Sequence, residues 1–550
     1  MTTATLTGGR TRVPGTFVPA ADRGAGTARM VRLIVRRNRV RLAVWAVVII
    51  GLFAYVGSYY STIFDNQAAL DDFAALSDTS GIRALTGLAA AANTLGGAVW
   101  TKIWMTGAVA LALGVAFLVT RNGRAEEELG RTELLRSRRL GIHAQSSAGY
   151  AVVTALSLII GVGITLSSIA LGLDPAGAGA TGSVVLGASV AGVAFVAIGV
   201  AAVAGQLAAT ARGANMLAGI VLGIFYVLRM VGDLGDGTLT WFSPIGWGQK
   251  MEPWGANRWW PFLLMLAVAV VLIGIARALE GRRDLASGLL PERPGPAAAA
   301  RPLLRPIGLA LRLQRGVIIG WTVAIALSAL LFGSVVQAMT DLLGDASDAQ
   351  VLVRGTGVEA LVSLLVMLIA LVVAVFALQT TISMRADEAG GILEPQLAGS
   401  LSRTRWALER LAIPVLGSAA LLLLGGALMG AGYGALIHDG RQALVLAGAA
   451  LAYWPAVMVL VGVAVLLFGW LPRLAVPVTW GLLGLMWVLV IVGDALNLPD
   501  WLIDGMPFSA SPYLPLEPME WMPVVVMIAV AAGAVALGLV RFARRDVTTA

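Results

Sequence analysis

Apolar residues fall in runs of about twenty along this chain, and polar residues gather between the runs rather than within them. A hydrocarbon layer about 30 Å thick is crossed by about 20 helical residues. Twelve runs reach that length, near 42–62, 98–120, 148–172, 183–206, 214–232, 259–279, 316–338, 358–382, 411–437, 443–470, 475–493 and 522–541. The pattern predicts an all-α polytopic membrane protein with twelve transmembrane helices. An even number of spans puts both termini on one side. The termini and the even-to-odd loops hold all but seven of the 39 basic residues, whereas 18 of the 31 acidic residues lie opposite. By the positive-inside rule both termini are expected to be cytoplasmic.

The polar segments repeat. Arg124, Ala125, Glu127, Gly130 and Glu133 recur 261 positions later as Arg385, Ala386, Glu388, Gly391 and Glu394, and Val231-Gly232-Asp233 recurs as Val492-Gly493-Asp494. "RRNRVRLAVW" (36–45) aligns with "RLQRGVIIGW" (312–321) at an offset of 276, because the external loop near 63–97 is longer than its counterpart near 339–357. Spans one to six and seven to twelve are therefore expected to be two parallel six-helix repeats, related by an axis along the membrane normal. The layout that follows is a cytoplasmic tail and interfacial helix (1–41), a first half (42–279), a linker and second interfacial helix (280–315), a second half (316–541) and a short tail (542–550). Residues 1–30 contain no apolar signal-peptide core and read as a disordered tail. The basic stretches 29–41 and 303–315 fix topology with their arginines, and their mixed apolar content also suits helices lying on the leaflet.

Composition adds little but excludes much. The chain is 58% hydrophobic and 13% charged, with a mean hydropathy of +0.84; a soluble protein is about half apolar and a quarter charged. With no cysteine, disulfide and thiol chemistry are excluded. A pI near 10.2 does not point to nucleic acid, since cytoplasmic loops account for the arginines. Lys102, one of only two lysines, sits near an external span end, where it either snorkels to the interface or meets an anionic substrate, snorkelling being the simpler reading.

Acids concentrate in the repeated loop after the second span of each half: Glu126, Glu127, Glu128 and Glu133, then Asp387, Glu388 and Glu394. Glu127, Gly130 and Leu134, spaced i, i+3, i+7, would present a carboxylate, bare backbone and an apolar knob on one helical face. A solvated, helix-capping loop is one reading. A docking surface for a cytoplasmic partner is the other, and it accounts for the second copy. The arrangement resembles the coupling-helix region of ABC exporter permeases with the ABCG-like fold. The second copy carries it at Glu388, Gly391, Glu394, Leu397 and Ser402-Arg403. The first carries it at Glu127, Gly130, Arg131, Glu133, Leu134 and Leu135, with Gly141-Ile142 in place of Ser-Arg. Together with "WFSPIGW" (241–247), the fused halves and the long first external loop, the chain is similar to tetronasin-type polyketide-antibiotic exporters of actinobacteria.

That resemblance implies outward transport of a hydrophobic antibiotic, drug or lipid-like compound across the bacterial cytoplasmic membrane. It also implies two copies of an ATP-binding cassette ATPase docked on the two loops. The chain contains no G-x-x-x-x-G-K-[ST] phosphate loop, so ATP and Mg would be bound by those partners, with no cofactor here. In such permeases the second and fifth spans of each half line a central cavity. By position this implies a substrate path including Trp104, Met105, Phe225, Tyr226, Met230, Met367, Phe376, Trp480, Met486 and Trp487, whose soft and aromatic side chains suit varied apolar ligands. The alternative is packing or lipid contact.

A proton-coupled secondary transporter, the competing class, needs ionisable groups in its spans. Asp233, Glu359 and Asp494 are the candidates, and all are expected at external span ends, where a helix-terminal role competes with a gate. His143 and His438 form no metal or nucleophile pattern, which leaves an enzyme unsupported. Aromatic residues before spans six and twelve (Trp241, Phe242, Trp247, Trp254, Trp259, Trp260; Trp501, Phe508, Tyr513, Trp521) suit an interfacial belt. In the exporter reading, the Pro244 and Pro512 segments are re-entrant caps.

Overall fold

The computed structural model describes residues 24–547 apart from 79–82, 84–85, 137–139, 176, 178, 285–286, 291–297, 344–357 and 493–504. Among the described residues every regular element is helical. The chain forms two compact units, Met1–Pro294 and Gly295–Ala550. The first contains α1 (Thr27–Ile63), α2 (Gln67–Ser77), α3 (Leu95–Asn122), the short α4 (Arg124–Glu128) and α5 (Arg131–Arg136), α6 (Ala144–Ala170), α7 (Thr181–Leu207), α8 (Ala211–Leu234), the short α9 (Pro244–Gln249) and α10 (Trp260–Glu280). The second contains α11 (Pro306–Leu343), α12 (Val358–Ala389), the short α13 (Leu393–Leu397), α14 (Arg403–Ile437), α15 (Gln442–Ala452), α16 (Trp454–Trp470), α17 (Ala475–Val492) and α18 (Trp521–Arg544).

Eleven helical stretches among the described residues are long and apolar enough to cross a bilayer, α15 and α16 together making one of them. The chain is a polytopic all-α membrane protein. At the expected eleventh span, α17 is apolar but described over too short a stretch to count with the others. Its outer end and Asp494 lie outside the described residues, as do 1–23 and Trp501.

Each unit closes its own core around the helix of its second span and one further central helix, α3 and α7 in the first unit, α12 and α16 in the second. Lipid tails are as apolar as leucine, so helices associate through close packing and small residues. A Cβ on Gly187 of α7 would stand 2.2 Å from the Gly161 carbonyl of α6. In the second unit a Cβ on Gly469 of α16 would meet the Gly538 carbonyl of α18 at 2.3 Å. Only glycine admits these approaches.

The basic stretches 29–41 and 303–315 were expected to include separate interfacial helices. Instead α1 and α11 run unbroken from the basic segment into the span. At 1.5 Å per residue, the 37 residues of α1 measure about 55 Å, well beyond the hydrocarbon. Nothing between Thr27 and Ile50 interrupts the helix, and a buried contact ties its basic part to the next long helix: Asn38 donates to Asn122 of α3 at 3.0 Å. Gln314 of α11 repeats this against Ser383 of α12 at 2.9 Å.

Candidate functional site

The repeated loops are built around glycines in the left-handed region. Gly130 has φ +69° and Gly391 φ +70°, a conformation that costs other residues roughly 1–2 kcal/mol. Each ends one helix and starts a short one, α5 or α13, in a new direction. Glu127 and Leu134 therefore do not share a helical face as their spacing predicts; the chain turns between them.

The three consecutive glutamates of α4 point to three different elements, since successive helical residues are about 100° apart. Glu126 pairs with Arg37 of α1 at 2.8 Å and with Arg131 at 3.5 Å. Glu127 lies between Arg124 (2.8 Å) and Arg283, just past α10 (2.6 Å). Glu128 accepts the backbone N–H of Ala211, the first residue of α8, at 2.9 Å, satisfying a donor that a helix start leaves open. Arg124 also donates to the carbonyls of Ala209 and Ser287. Arg283 donates to Gln206 of α7 at 2.6 Å. Nearby, Glu280 accepts Ser146 Oγ and meets His143 Nδ1, both at 2.8 Å. The cavity inside this network is about 30 Å³, room for water and not for cargo.

The second loop repeats the device with fewer parts. Glu388 is fully buried, 3.3 Å from Arg385, and accepts Arg545 Nη2 at 2.9 Å. Arg545, just past α18, spreads its guanidinium over Phe468 and Phe542, 5.0 and 5.2 Å from the ring centroids. Asp387 pairs with Arg410 of α14 at 2.6 Å. Ser402 caps α14 by accepting the Arg405 N–H at 3.3 Å, and Arg403 donates to the Arg545 carbonyl. The first loop lacks both features: His143 caps α6 without a side-chain hydrogen bond.

The candidate docking residues therefore divide. Glu127, Glu388 and Arg403 face inward and hold the loop to the residues just past α10 or α18. The outward contacts are left to Leu129 (61% exposed), Leu134 (74%) and Glu133 in the first loop, and to Ile392 (48%) and Glu394 in the second. Arg131 is half-exposed beside Glu126, and Leu397 packs partly on the core. The sequence reading missed Arg283 and Arg545. Their signal was present, since Arg282-Arg283-Asp284 recurs as Arg544-Arg545-Asp546.

At the other end of the first unit the candidate Asp233 meets an arginine that its position in the sequence did not single out. Arg229 of α8 is fully buried, its Nε 2.7 Å from Gln249 Oε1 of α9 and 3.1 Å from Asp233 Oδ2. Asp233 also accepts Thr240 Oγ1 at 2.8 Å. Asp233 is thus a clasp between the end of α8 and the Leu239–Gln249 segment. Glu359 is exposed in the first turn of α12, where a helix favours an acid. The aromatic segment is partly belt and partly core: Trp241 stacks on Trp260 at 5.0 Å, while Trp254 wedges against Gly96 and Gly182 and donates to Asp174 at 2.9 Å.

The ten substrate-path candidates also separate. Trp104, Met105, Met367 and Phe376 are buried in the cores of their own units. Trp104 donates to Ser189 at 2.7 Å and covers Gly248, and Phe376 fills the space over Gly417. Helices α3 and α12 are central in their units, and these side chains pack inside them. Phe225, Tyr226, Met230, Trp480, Met486 and Trp487 lie on the partly exposed flanks of α8 and α17.

Comparison with known proteins adds the family. The model of the C-terminal domain of multidrug efflux system permease Rv1217c matches residues 28–279 and 303–543, most of both units. The chain belongs to this family. It is 37% identical over 550 residues to multidrug efflux system permease protein Rv1217c of Mycobacterium tuberculosis (strain ATCC 25618 / H37Rv), covering 98% of each chain. As a family member it is a membrane transport permease, and the matched segments leave out the linker near 280–302. The buried Glu127–Arg283 and Glu388–Arg545 pairs are thus internal supports of the repeated loops of a permease of this family.

Proposed function

We propose that this permease is the membrane part of an ATP-driven exporter of the ABC type with an ABCG-like arrangement, related to polyketide-antibiotic exporters. It moves hydrophobic drugs or lipid-like compounds outward across the bacterial cytoplasmic membrane by alternating access. Two cassette ATPase subunits, which bind ATP and Mg, dock on the loops at 124–141 and 385–403. One observation carries this reading: in each half a left-handed glycine redirects the chain into a short helix with exposed apolar and acidic residues, and a buried carboxylate braces that turn. Exposed leucines on a charged cytoplasmic loop are costly unless something covers them.

The bracing supplies a route for force. Displacing α4 and α5 pulls on α1 through Glu126–Arg37, on α8 through Glu128, and on α10 through Glu127–Arg283. A partner that binds one conformation better shifts the population toward it. The secondary-transporter alternative gains no support from Asp233, whose carboxylate is already held by Arg229 and Thr240.

The test is co-purification with the cassette ATPase encoded nearest the gene. Glu133→Arg and Glu394→Arg alone should each weaken the complex, and the two together should abolish it. An ATPase that fails to bind wild type, or binds the double variant equally well, overturns the proposal.

A further inference from the structure

In the second unit a furrow of about 450 Å³ runs between α14, α16 and α18, lined by residues including Leu411, Val415, Trp454, Met458, Ala531 and Val535. Every lining residue is apolar, and the size falls in the range of about 300–1,000 Å³ typical of small-molecule sites. Its origin is local. Helices α16 and α18 approach through Gly462 and Gly469, leaving α14 to close the third side. That helix carries Pro414, which cannot donate a backbone N–H, and the Trp454 indole spans the gap to the Val415 carbonyl at 3.1 Å. An apolar furrow of this kind does not hold water.

The chemistry changes at the cytoplasmic end. A second cavity, of about 550 Å³, shares Leu408 and Ala412 with the furrow and adds Ser402, Thr404, Arg405 and Glu409. A third, of about 340 Å³, shares Arg405 and adds Arg305, Gln396 and Ser400. Glu409 holds Arg405 by its Nε at 2.9 Å while accepting the Ile307 N–H at 2.7 Å. The Arg405 side chain remains 68% exposed and lines both cavities. An apolar slot leading to hydroxyls and two guanidiniums has the polarity profile of one lipid molecule, acyl chain inward and acidic headgroup at the leaflet surface.

The first unit is built differently at the same place. The positions 261 earlier than Ser402, Thr404, Arg405 and Glu409 are Gly141, His143, Ala144 and Ala148. Ala148 is covered there by Met30 and Ile34 of α1 and by Val152. The polar mouth belongs to the second half.

We propose that this groove binds one anionic glycerophospholipid of the cytoplasmic leaflet, its acyl chain between α14, α16 and α18 and its phosphate at Arg405 and Arg305. The proposal does not rest on ATPase docking, and lipid retention is read on the chain without its ATPase. The test uses the purified full-length chain, stripped of lipid in detergent and re-exposed to dioleoylphosphatidylglycerol or dioleoylphosphatidylcholine, with retained lipid counted by native mass spectrometry. Wild type should retain the anionic lipid several-fold better. Arg305→Gln with Arg405→Gln should bring the two lipids level without lowering phosphatidylcholine retention, and Arg405→Lys should keep part of the preference. Ala412→Trp and Ala532→Trp, which fill the furrow, should reduce both lipids; melting without added lipid checks that each variant folds. Equal retention by wild type, a preference that survives the double charge variant, or lipid counts unmoved by either plug overturns the proposal.

Discussion

At the scale of single residues, two positions are governed by backbone geometry and two by desolvated charge. Gly130 and Gly391 have positive φ, and a Cβ at either would meet nothing within 4 Å. Alanine there should cost roughly 1–2 kcal/mol from conformation alone, and asparagine, which tolerates the left-handed region, should cost less. Thermal unfolding of the four single variants measures the order. For the clasp, Asp233→Asn leaves Arg229 buried without its carboxylate and should destabilise by about 3–5 kcal/mol, whereas Arg229→Met with Asp233→Leu should recover much of that loss. Equal melting temperatures for the single and double variants would refute the ion-pair account. The glycines were legible because their recurrence at a fixed offset is a one-dimensional fact. The partners of Glu127 and Glu388 were not, because a carboxylate's direction depends on which helices the fold places beside it.

Among the elements, the boundaries follow from runs of apolar residues and their breakers, and the contacts follow from glycine. Span ten divides at Tyr453 into α15 and α16, since Pro455 cannot donate to the turn before it. The α16–α18 contact rests on Gly462, Gly469 and Gly538, where an added Cβ would stand less than 3 Å from facing backbone. Gly469→Leu should force these helices apart and destabilise the second unit by at least about 1–3 kcal/mol, the usual cost of overpacking. Gly481→Leu, at a position where an added Cβ would meet nothing within 4 Å, should be tolerated. Protease resistance in detergent distinguishes them. Hydropathy revealed these helices well but said nothing of which face meets which neighbour, because α7, α16 and α17 are apolar all round. The unbroken α1 and α11 show the converse. Arginine is a good helix former, so a basic segment continues a helix that hydropathy alone would end at the membrane surface.

Across the whole molecule, the repeat makes the two units comparable and their differences informative. Both brace the loop after the second span with a buried glutamate and an arginine just past the last span. The first unit has an arginine partner at the Asp233 clasp, and Val490 stands where Arg229 would recur. The polar-mouthed furrow lies in the second unit, where Ser402, Arg405 and Glu409 replace Gly141, Ala144 and Ala148 of the first. The ATPase test reads this asymmetry as well, through unequal losses from Glu133→Arg and Glu394→Arg. The linear order of residues was enough to establish the membrane class, the approximate spans and the internal repeat, because each is a matter of counting apolar residues or matching positions along the chain. The family resemblance drew on the same recurrence. Which charges turn inward, which aromatics are core and where a groove opens were decided only by the tertiary structure. Each depends on groups far apart in sequence being desolvated together, as Glu127 is with Arg283 and Arg229 with Gln249, and the energy of such a meeting belongs to the assembled fold.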